Sequence, residues 1–196
     1  MPSYPNVTAE MMQEMDRMIT GRLTPPENAR KRTLENRKTG AMEEHLRWNE
    51  SLQVVAVEVS TTISNASDEH DVYSVKFNVT ASKGTGLNIG GTTYLKARIN
   101  SVALEAGNKD SGQYKMSIST LVRLAQLVRS AGFPIKGGLT SAQMAAYFPA
   151  NGESPLIGKE IFAEIHQNES ELASSGWNEE VANIFPLRVA KATTEV

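Results

Sequence analysis

The stretch VYSVKFNVTA, residues 72–81, decides the fold class, because apolar and polar side chains alternate along it. Its apolar positions are Tyr73, Val75, Phe77 and Val79. Successive side chains of a strand point to opposite faces, so this alternation predicts a strand with one buried and one solvated face. We expect Tyr73 and Phe77 to belong to the core, on the face opposite Lys76.

Two more strands are predicted around this stretch. Residues 52–63 are rich in β-branched side chains, and their alternation changes phase near Ala56, which indicates a bulge or a strand buried on both faces. A polar turn at 64–71 separates them from the first stretch. After a glycine-rich loop at 83–91, residues 92–104 form the third strand of the series.

The period of the pattern then changes from two to about 3.6. Residues 117–131 carry one apolar stripe and predict a helix, with Ser117 or Ser119 as its N-cap and Gly132 as a left-handed residue beyond its end. A shorter helix is predicted at 140–148, with Thr140 or Ser141 as its N-cap. Strands at 157–167 and 181–189 follow, separated by a polar loop at 170–180.

Three strands, a helix and two further strands follow the element order of the OB-fold, a five-stranded Greek-key barrel. We therefore expect a mainly β fold, a β-barrel with helices, at residues 51–189, with the helix between strands three and four. Residues 1–50 are expected to be an N-terminal extension with a methionine-rich helix at 8–20, and 190–196 a tail. A generic α+β sandwich has the same element order.

Composition restricts the class of protein. The chain has 196 residues, a net charge of −2 and no cysteine, so it has neither disulfides nor thiolate metal sites. No run of 18 or more apolar residues is present, and the N-terminus lacks the pattern of a signal peptide. We expect a soluble cytoplasmic protein without a membrane segment.

Charge is distributed unevenly along the chain. Residues 22–38 contain six Lys or Arg against two Glu, residues 51–140 have a basic surplus of three, and residues 141–196 have an acidic surplus of five. Such an asymmetry allows one face to meet phosphates while another remains solvated. Ordinary surface charge would give the same counts.

The C-terminal half resembles a known family. The segments concerned are GQYKMSISTLVRLAQLVRSAGFP (112–134), LIGKEIFAEIHQ (156–167) and GWNEEVANIFPLR (176–188). They are similar to phage-type single-stranded-DNA-binding proteins in the residues Ala131, Gly132, Leu156, Gly158, Lys159, Trp177, Asn178, Asn183, Ile184 and Phe185. The resemblance implies a non-catalytic, homo-oligomeric protein that coats single-stranded DNA during phage replication or recombination in the bacterial host. Preference for DNA over RNA stays open.

Binding of unpaired bases requires aromatic faces for stacking and cations for the backbone. Tyr94, Lys96 and Arg98 have equal parity on the third strand, so they share a face. The predicted nucleic-acid-binding residues are Tyr94, Lys96, Arg98, Lys76, Trp177 in the polar loop, and Arg30, Lys31 and Arg32 in the N-terminal extension. A solvated outer face, or a Trp177 loop folded back on the barrel, would explain the same residues.

No catalytic motif stands on a suitable scaffold. The glycine-rich loop lacks the Lys-Ser/Thr ending of a phosphate-binding loop and joins two strands. We expect no enzyme, no metal site and no cofactor. A phage structural or assembly protein that forms a homo-oligomer is the alternative function.

Overall fold

The computed structural model describes residues 4–20, 30–35, 40, 42–63, 69–82, 92–169 and 177–185. These residues form four helices and a six-stranded sheet. In chain order the elements are α1 (Ala9–Thr20), β1 (Arg30–Glu35), β2 (Met42–Ile63), β3 (Glu69–Ser82), β4 (Thr92–Ile99), α2 (Ser101–Ala106), α3 (Gly112–Ser130), α4 (Ser141–Tyr147), β5 (Glu160–Glu169) and β6 (Trp177–Phe185). The predicted tail at 190–196 and the glycine-rich loop at 83–91 lie outside the described residues.

The stretch that predicted the fold is the centre of an antiparallel meander. β3 pairs with β2 on one edge and with β4 on the other. Tyr73, Val75 and Phe77 are fully buried, whereas Ser74 and Lys76 between them are partly exposed. The predicted core face is therefore confirmed.

The predicted change of phase in β2 is also present. Leu52 and Val54 are fully buried, and the register against β3 shifts between Val54 and Ala56. Beyond this bulge, Val57 and Val59 pack against the core instead. One extra residue in one strand moves every later side chain to the other face, and this explains the altered pattern.

β2 connects all parts of the sheet. Its first half pairs with β1 on one edge and with β5 on the other, since Leu46 and Arg47 have partners in both strands. Its second half pairs with β3. The predicted boundary between extension and body, at residue 50, lies inside this strand, because residues 46–50 continue the ladder with β5.

The expected five-stranded barrel is found only in its coarser features. The strand order is β1-β2-β3-β4-β6-β5, and β5 pairs again with β2. β4 and β6 meet at a single parallel bridge, Tyr94 with Glu180, which leaves a seam instead of a continuous ladder. The described strands thus form a mainly antiparallel sheet with helices that is not closed into a barrel, and β1 is paired to it in addition to the five predicted strands.

Helix α3 packs against β4, β5 and β6 and covers this seam. The Arg123 guanidinium donates a hydrogen bond to the backbone carbonyl of Val181 on β6. The Ser130 hydroxyl accepts one from the backbone N–H of Phe162 at 3.3 Å. Backbone groups near an interrupted ladder need partners, and polar side chains of the helix supply them.

The ends of the helices follow capping chemistry. α3 begins at Gly112, earlier than predicted, because the Ser111 hydroxyl accepts a hydrogen bond from the N–H three residues on at 3.0 Å. Gly132 has a φ of 91°, which confirms the predicted left-handed residue beyond its end. α4 is capped by Thr140, whose side chain forms a reciprocal capping box with Gln143.

The third predicted strand is shorter than expected. β4 ends at Ile99, and α2 occupies residues that were assigned to the strand. The Asn100 side chain accepts a hydrogen bond from the Ala103 N–H at 2.8 Å, and Gly107 ends the helix with a φ of 66°. The Asn100 cap therefore starts a helix at the point where the sequence pattern would have continued the β4 ladder.

The last two strands are displaced from their predicted positions. β5 begins at Glu160, after a turn in which Gly158 has a φ of 80° and donates its N–H to the Val54 carbonyl at 2.8 Å. β6 begins at Trp177, so this tryptophan starts a strand and does not lie in a polar loop as predicted.

The first helix belongs to the body. Met11, Met15 and Ile19 of α1 are buried in the same core as the sheet. The Tyr4 hydroxyl donates to the Phe148 carbonyl at 2.7 Å and accepts from a backbone N–H at residue 150 at 2.8 Å. Residues 4–20 are therefore fastened to the C-terminal half and do not form a free arm.

Candidate functional site

The outer face of β4 carries the predicted aromatic and basic residues. Leu95, Ala97 and Ile99 are buried, and the alternate residues are exposed. These exposed residues are Thr92, Tyr94, Lys96 and Arg98. Tyr94 is 43% exposed, a large fraction for an aromatic ring at the middle of a sheet. The prediction that Tyr94, Lys96 and Arg98 share one solvated face is confirmed.

Lys76 extends this face onto β3. It lies directly opposite Tyr94 in the register, and its Nζ is 5.9 Å from the centre of the Tyr94 ring. A cation at this distance from an aromatic face is attracted by the ring quadrupole. We call Tyr94, Lys96, Arg98 and Lys76 the outer patch.

Small side chains separate the charged residues of the outer patch. Ser74 is the register partner of Lys96, and Ala56 on β2 is the partner of Lys76. Glu58, which is exposed, pairs with Ser74, and Glu180 on β6 is the bridge partner of Tyr94. The outer patch thus has three cations with two acidic positions beside it, although the whole chain has a net charge of −2.

The backbone of Trp177 lies near the same end of the sheet. Trp177 is three residues before Glu180, the bridge partner of Tyr94. At 3.3 Å per residue, this is about 10 Å along β6. The Trp177 side chain is outside the described part, so its role as a stacking platform stays a prediction.

The predicted basic residues of the N-terminal segment form a strand. In β1, Arg30 pairs with Arg47, Lys31 with Leu46, and Arg32 with His45. Alternate positions of a strand share a face, so Arg30 and Arg32 occupy one face and Lys31 occupies the other. The role of Arg30, Lys31 and Arg32 in binding nucleic acid stays a prediction.

The register joins these basic positions to the outer patch in one line across the strands. Its members, in order, are Arg30 on β1, Arg47 on β2, His166 on β5, Glu180 on β6, Tyr94 on β4 and Lys76 on β3. We call this line the cross-strand row. Sequence reasoning missed Arg47 and His166, because only the pairing of β2 with β5 brings them together. An alternation that continued back from residue 52 would have been the signal for Arg47.

Other buried polar groups are held in structural contacts. Glu164 is only 1% exposed, and it accepts a hydrogen bond from the Asn183 amide at 2.6 Å. Asp71 accepts hydrogen bonds from the hydroxyls of Thr61 at 3.2 Å and Ser101 at 3.3 Å. Burial, with Asp71 nearby, raises the pKa of Tyr73 well above its usual range. The Asp71 contacts hold β2, β3 and α2 together, and the Glu164 contact joins β5 to β6.

Within the described ranges, no three His, Asp or Glu side chains lie close enough to share a metal ion. Of the four helices above, none is both long enough and apolar enough to cross a membrane. Comparisons of the chain with protein-family models, curated proteins and solved structures find no match.

Proposed function

We propose that this protein binds single-stranded DNA on the outer face of β3 and β4. The observation that carries the proposal is the outer patch, where the exposed Tyr94 ring lies beside Lys76 and shares its face with Lys96 and Arg98. An unpaired base has a flat face to stack on Tyr94, and its flanking phosphates meet the cations. Duplex DNA offers no exposed base face to such a site.

The free energies of stacking and of phosphate contacts are large enough for the outer patch to bind a single strand. Stacking of one base on an aromatic side chain contributes about 1–3 kcal/mol. Each phosphate contact made with a single strand releases counterions and contributes about 0.7 to the slope of log K against log salt. One ring and three cations therefore give a binding site with moderate affinity at low salt.

The connectivity of the sheet supports an OB-type barrel as the scaffold of this function. Apart from β1, the strands follow the order β2-β3-β4-β6-β5, and β5 returns to β2. In an OB-fold the second and third strands form the face that binds oligonucleotides. β3 and β4 are the second and third strands in this order, and they carry the outer patch.

The similarity of residues 112–134, 156–167 and 176–188 to phage-type single-stranded-DNA-binding proteins extends the proposal. It assigns the protein a non-catalytic role in phage replication or recombination, as a homo-oligomer in the cytoplasm of the bacterial host. A distinct function, that of a phage structural or assembly protein, predicts a large homo-oligomer that forms without DNA.

The direct test is a titration of the full chain with oligo-dT, followed by tryptophan fluorescence or by the anisotropy of a labelled oligonucleotide. We expect binding at about 50 mM salt that weakens steeply as salt is raised, since phosphate contacts depend on counterion release. Equal affinity for duplex and single strands would contradict base stacking. Absence of binding at low salt, with a large particle in light scattering of nuclease-treated protein, would favour the assembly protein.

A further inference from the structure

The paired strands β1 and residues 42–47 of β2 form a ribbon at the N-terminal side of the sheet, which we call the N-terminal ribbon. Its pairs run from Arg30 with Arg47 to Glu35 with Met42. β5 reaches the ribbon only at Leu46 and Arg47, so the remaining pairs extend past the end of the β2–β5 ladder. Two-stranded ribbons are marginally stable in water, which suggests that a ligand or partner covers this part.

Charge is segregated between the two faces of the ribbon. The positions on the first face are Arg30, Arg32, Leu34, Glu43, His45 and Arg47, with three arginines against one acid. The positions on the second face are Lys31, Thr33, Glu35, Met42, Glu44 and Leu46, with one lysine against two acids. Like charges directly opposite each other, as at Arg30 and Arg47, destabilise a ladder unless an anion lies between them.

The first face of the ribbon is continuous with the outer face of the sheet. Arg47 pairs with His166 on β5. His166 is partly exposed, and its neighbour Ile165 on the opposite face is buried in the core. Arg30, Arg47 and His166 thus occupy outer positions, on the same side of the sheet as Tyr94.

The cross-strand row gives the length of this connection. Four strand spacings separate the Arg30 position from Tyr94, through the seam bridge with Glu180. At about 4.8 Å each, the path is about 19 Å long. OB folds cover roughly 4–16 nucleotides, so a strand bound at Tyr94 has ample length to follow the row.

We infer that single-stranded DNA crosses the seam from the outer patch to the N-terminal ribbon, where Arg30, Arg47 and His166 form a second backbone-binding subsite. This inference rests on the proposed function and adds to it a preference for longer strands. The outer patch alone takes a short oligonucleotide, and only a strand that spans the row reaches the arginines.

Charge also decides against a second copy of the chain as the occupant of the ribbon. No described strand pairs with the outer edge of β1, which could in principle accept another strand. Three of its six residues are basic, however, and like-charged edges repel one another. A polyanion fits this edge better than a copy of it.

The test compares oligonucleotides of about 4 and about 16 thymidines, the limits of the OB site size, on full-length wild type, on R30Q/R47Q and on K115Q/K136Q. Lys115 on α3 and Lys136 are exposed and lie outside the sheet, so K115Q/K136Q is the matched control for the loss of two charges. Two lost phosphate contacts should lower the salt slope for the longer oligonucleotide by about 1.4, or its affinity roughly 25-fold at 0.1 M salt. Affinity for the shorter one should be unchanged, as should both affinities of K115Q/K136Q.

The outcomes separate this inference from the proposed function. If wild type binds both lengths and R30Q/R47Q matches it on both, the second subsite is wrong while the proposed function stands. If wild type binds neither length, the proposed function fails and the inference fails with it. Thermal melting of each variant identifies any loss of the fold, and R47K provides a variant that keeps the charge and should bind nearly as wild type.

Discussion

Tyr94 and Lys76 lie opposite each other across β3 and β4, with the lysine Nζ 5.9 Å from the centre of the ring. The pair brings a stacking surface and a phosphate-seeking cation together on a face whose reverse side is core. Val75 and Phe77, the residues on either side of Lys76, are fully buried on that reverse side. The β3–β4 register therefore places Tyr94 beside Lys76 on the exposed face, and the buried residues of the opposite face hold both strands in position.

Tyr94→Ala should weaken binding of oligo-dT by about 1–3 kcal/mol, or roughly 5- to 150-fold, because one base loses its stacking partner. Tyr94→Phe should bind nearly as wild type, because the face of the ring is retained. Anisotropy titrations at constant salt measure both. Met116→Ala is the control, since Met116 is an apolar side chain on α3 with a similar exposure of 47%. Equal losses in Y94A and M116A would contradict a specific stacking role.

In the double variant K96Q/R98Q, the affinity for oligo-dT should depend less on salt, whereas the preference for single strands over duplex DNA should change little. Removing two phosphate contacts to a single strand lowers the slope of log K against log salt by about 1.4. Titrations between 50 mM and 200 mM salt measure the slope, since this range spans strong and weak phosphate binding. The pair Lys115→Gln and Lys136→Gln removes the same charge from exposed residues outside the sheet. A parallel decrease in that control would mean that only net charge matters.

Gly138→Ala should destabilise the fold, because a Cβ there would lie 2.2 Å from Cε of the buried Met15 on α1. Overpacking of this kind costs about 1–3 kcal/mol. Urea unfolding measures the loss, and Met15→Ala in the same chain should recover part of it. Gly112→Ala is the control, since nothing lies within 4 Å of its Cβ position. An unchanged midpoint for G138A would indicate that α1 is not packed on the body.

Tyr73→Phe should make the protein more resistant to alkaline unfolding. The Tyr73 hydroxyl is buried without a hydrogen-bond partner in the described residues, and burial, followed by the charge of Asp71, raises its pKa. The neutral phenol is thus favoured in the folded state, whereas the unfolded tyrosine ionises near pH 10. The stabilising effect is complete below that pH, and above it unfolding free energy falls by up to about 1.4 kcal/mol per pH unit.

The measurement is urea unfolding from pH 8 to pH 11, a range that brackets the pKa of an unfolded tyrosine. In Tyr73→Phe the alkaline decrease should be smaller, and stability at pH 8 should be equal or higher, because an unsatisfied buried hydroxyl is costly. Tyr147→Phe, a change at a half-buried tyrosine, is the control. Identical pH profiles for wild type and Y73F would refute the role of Tyr73.

Local patterns account for the elements that were predicted well. The alternation around Tyr73 predicts β3 because solvent on one side and core on the other act residue by residue. The apolar stripe and Gly132 identify the body and end of α3 for the same local reason. Local competition explains the errors: the Asn100 cap shortened β4, and Ser111 started α3 earlier than expected.

The sequence by itself determined which residues alternate, so it was sufficient to identify β3, the helix over the seam and the exposed group Tyr94, Lys96 and Arg98 on one strand. Only the tertiary structure decided that β1 exists, that β4 and β6 meet at one bridge, and that Arg47 and His166 share a row with Tyr94. The physical reason is the sequence separation of the residues that interact. Periodicity depends on neighbours a few residues apart, whereas register depends on hydrogen bonds between strands more than a hundred residues apart, such as Arg47 with His166.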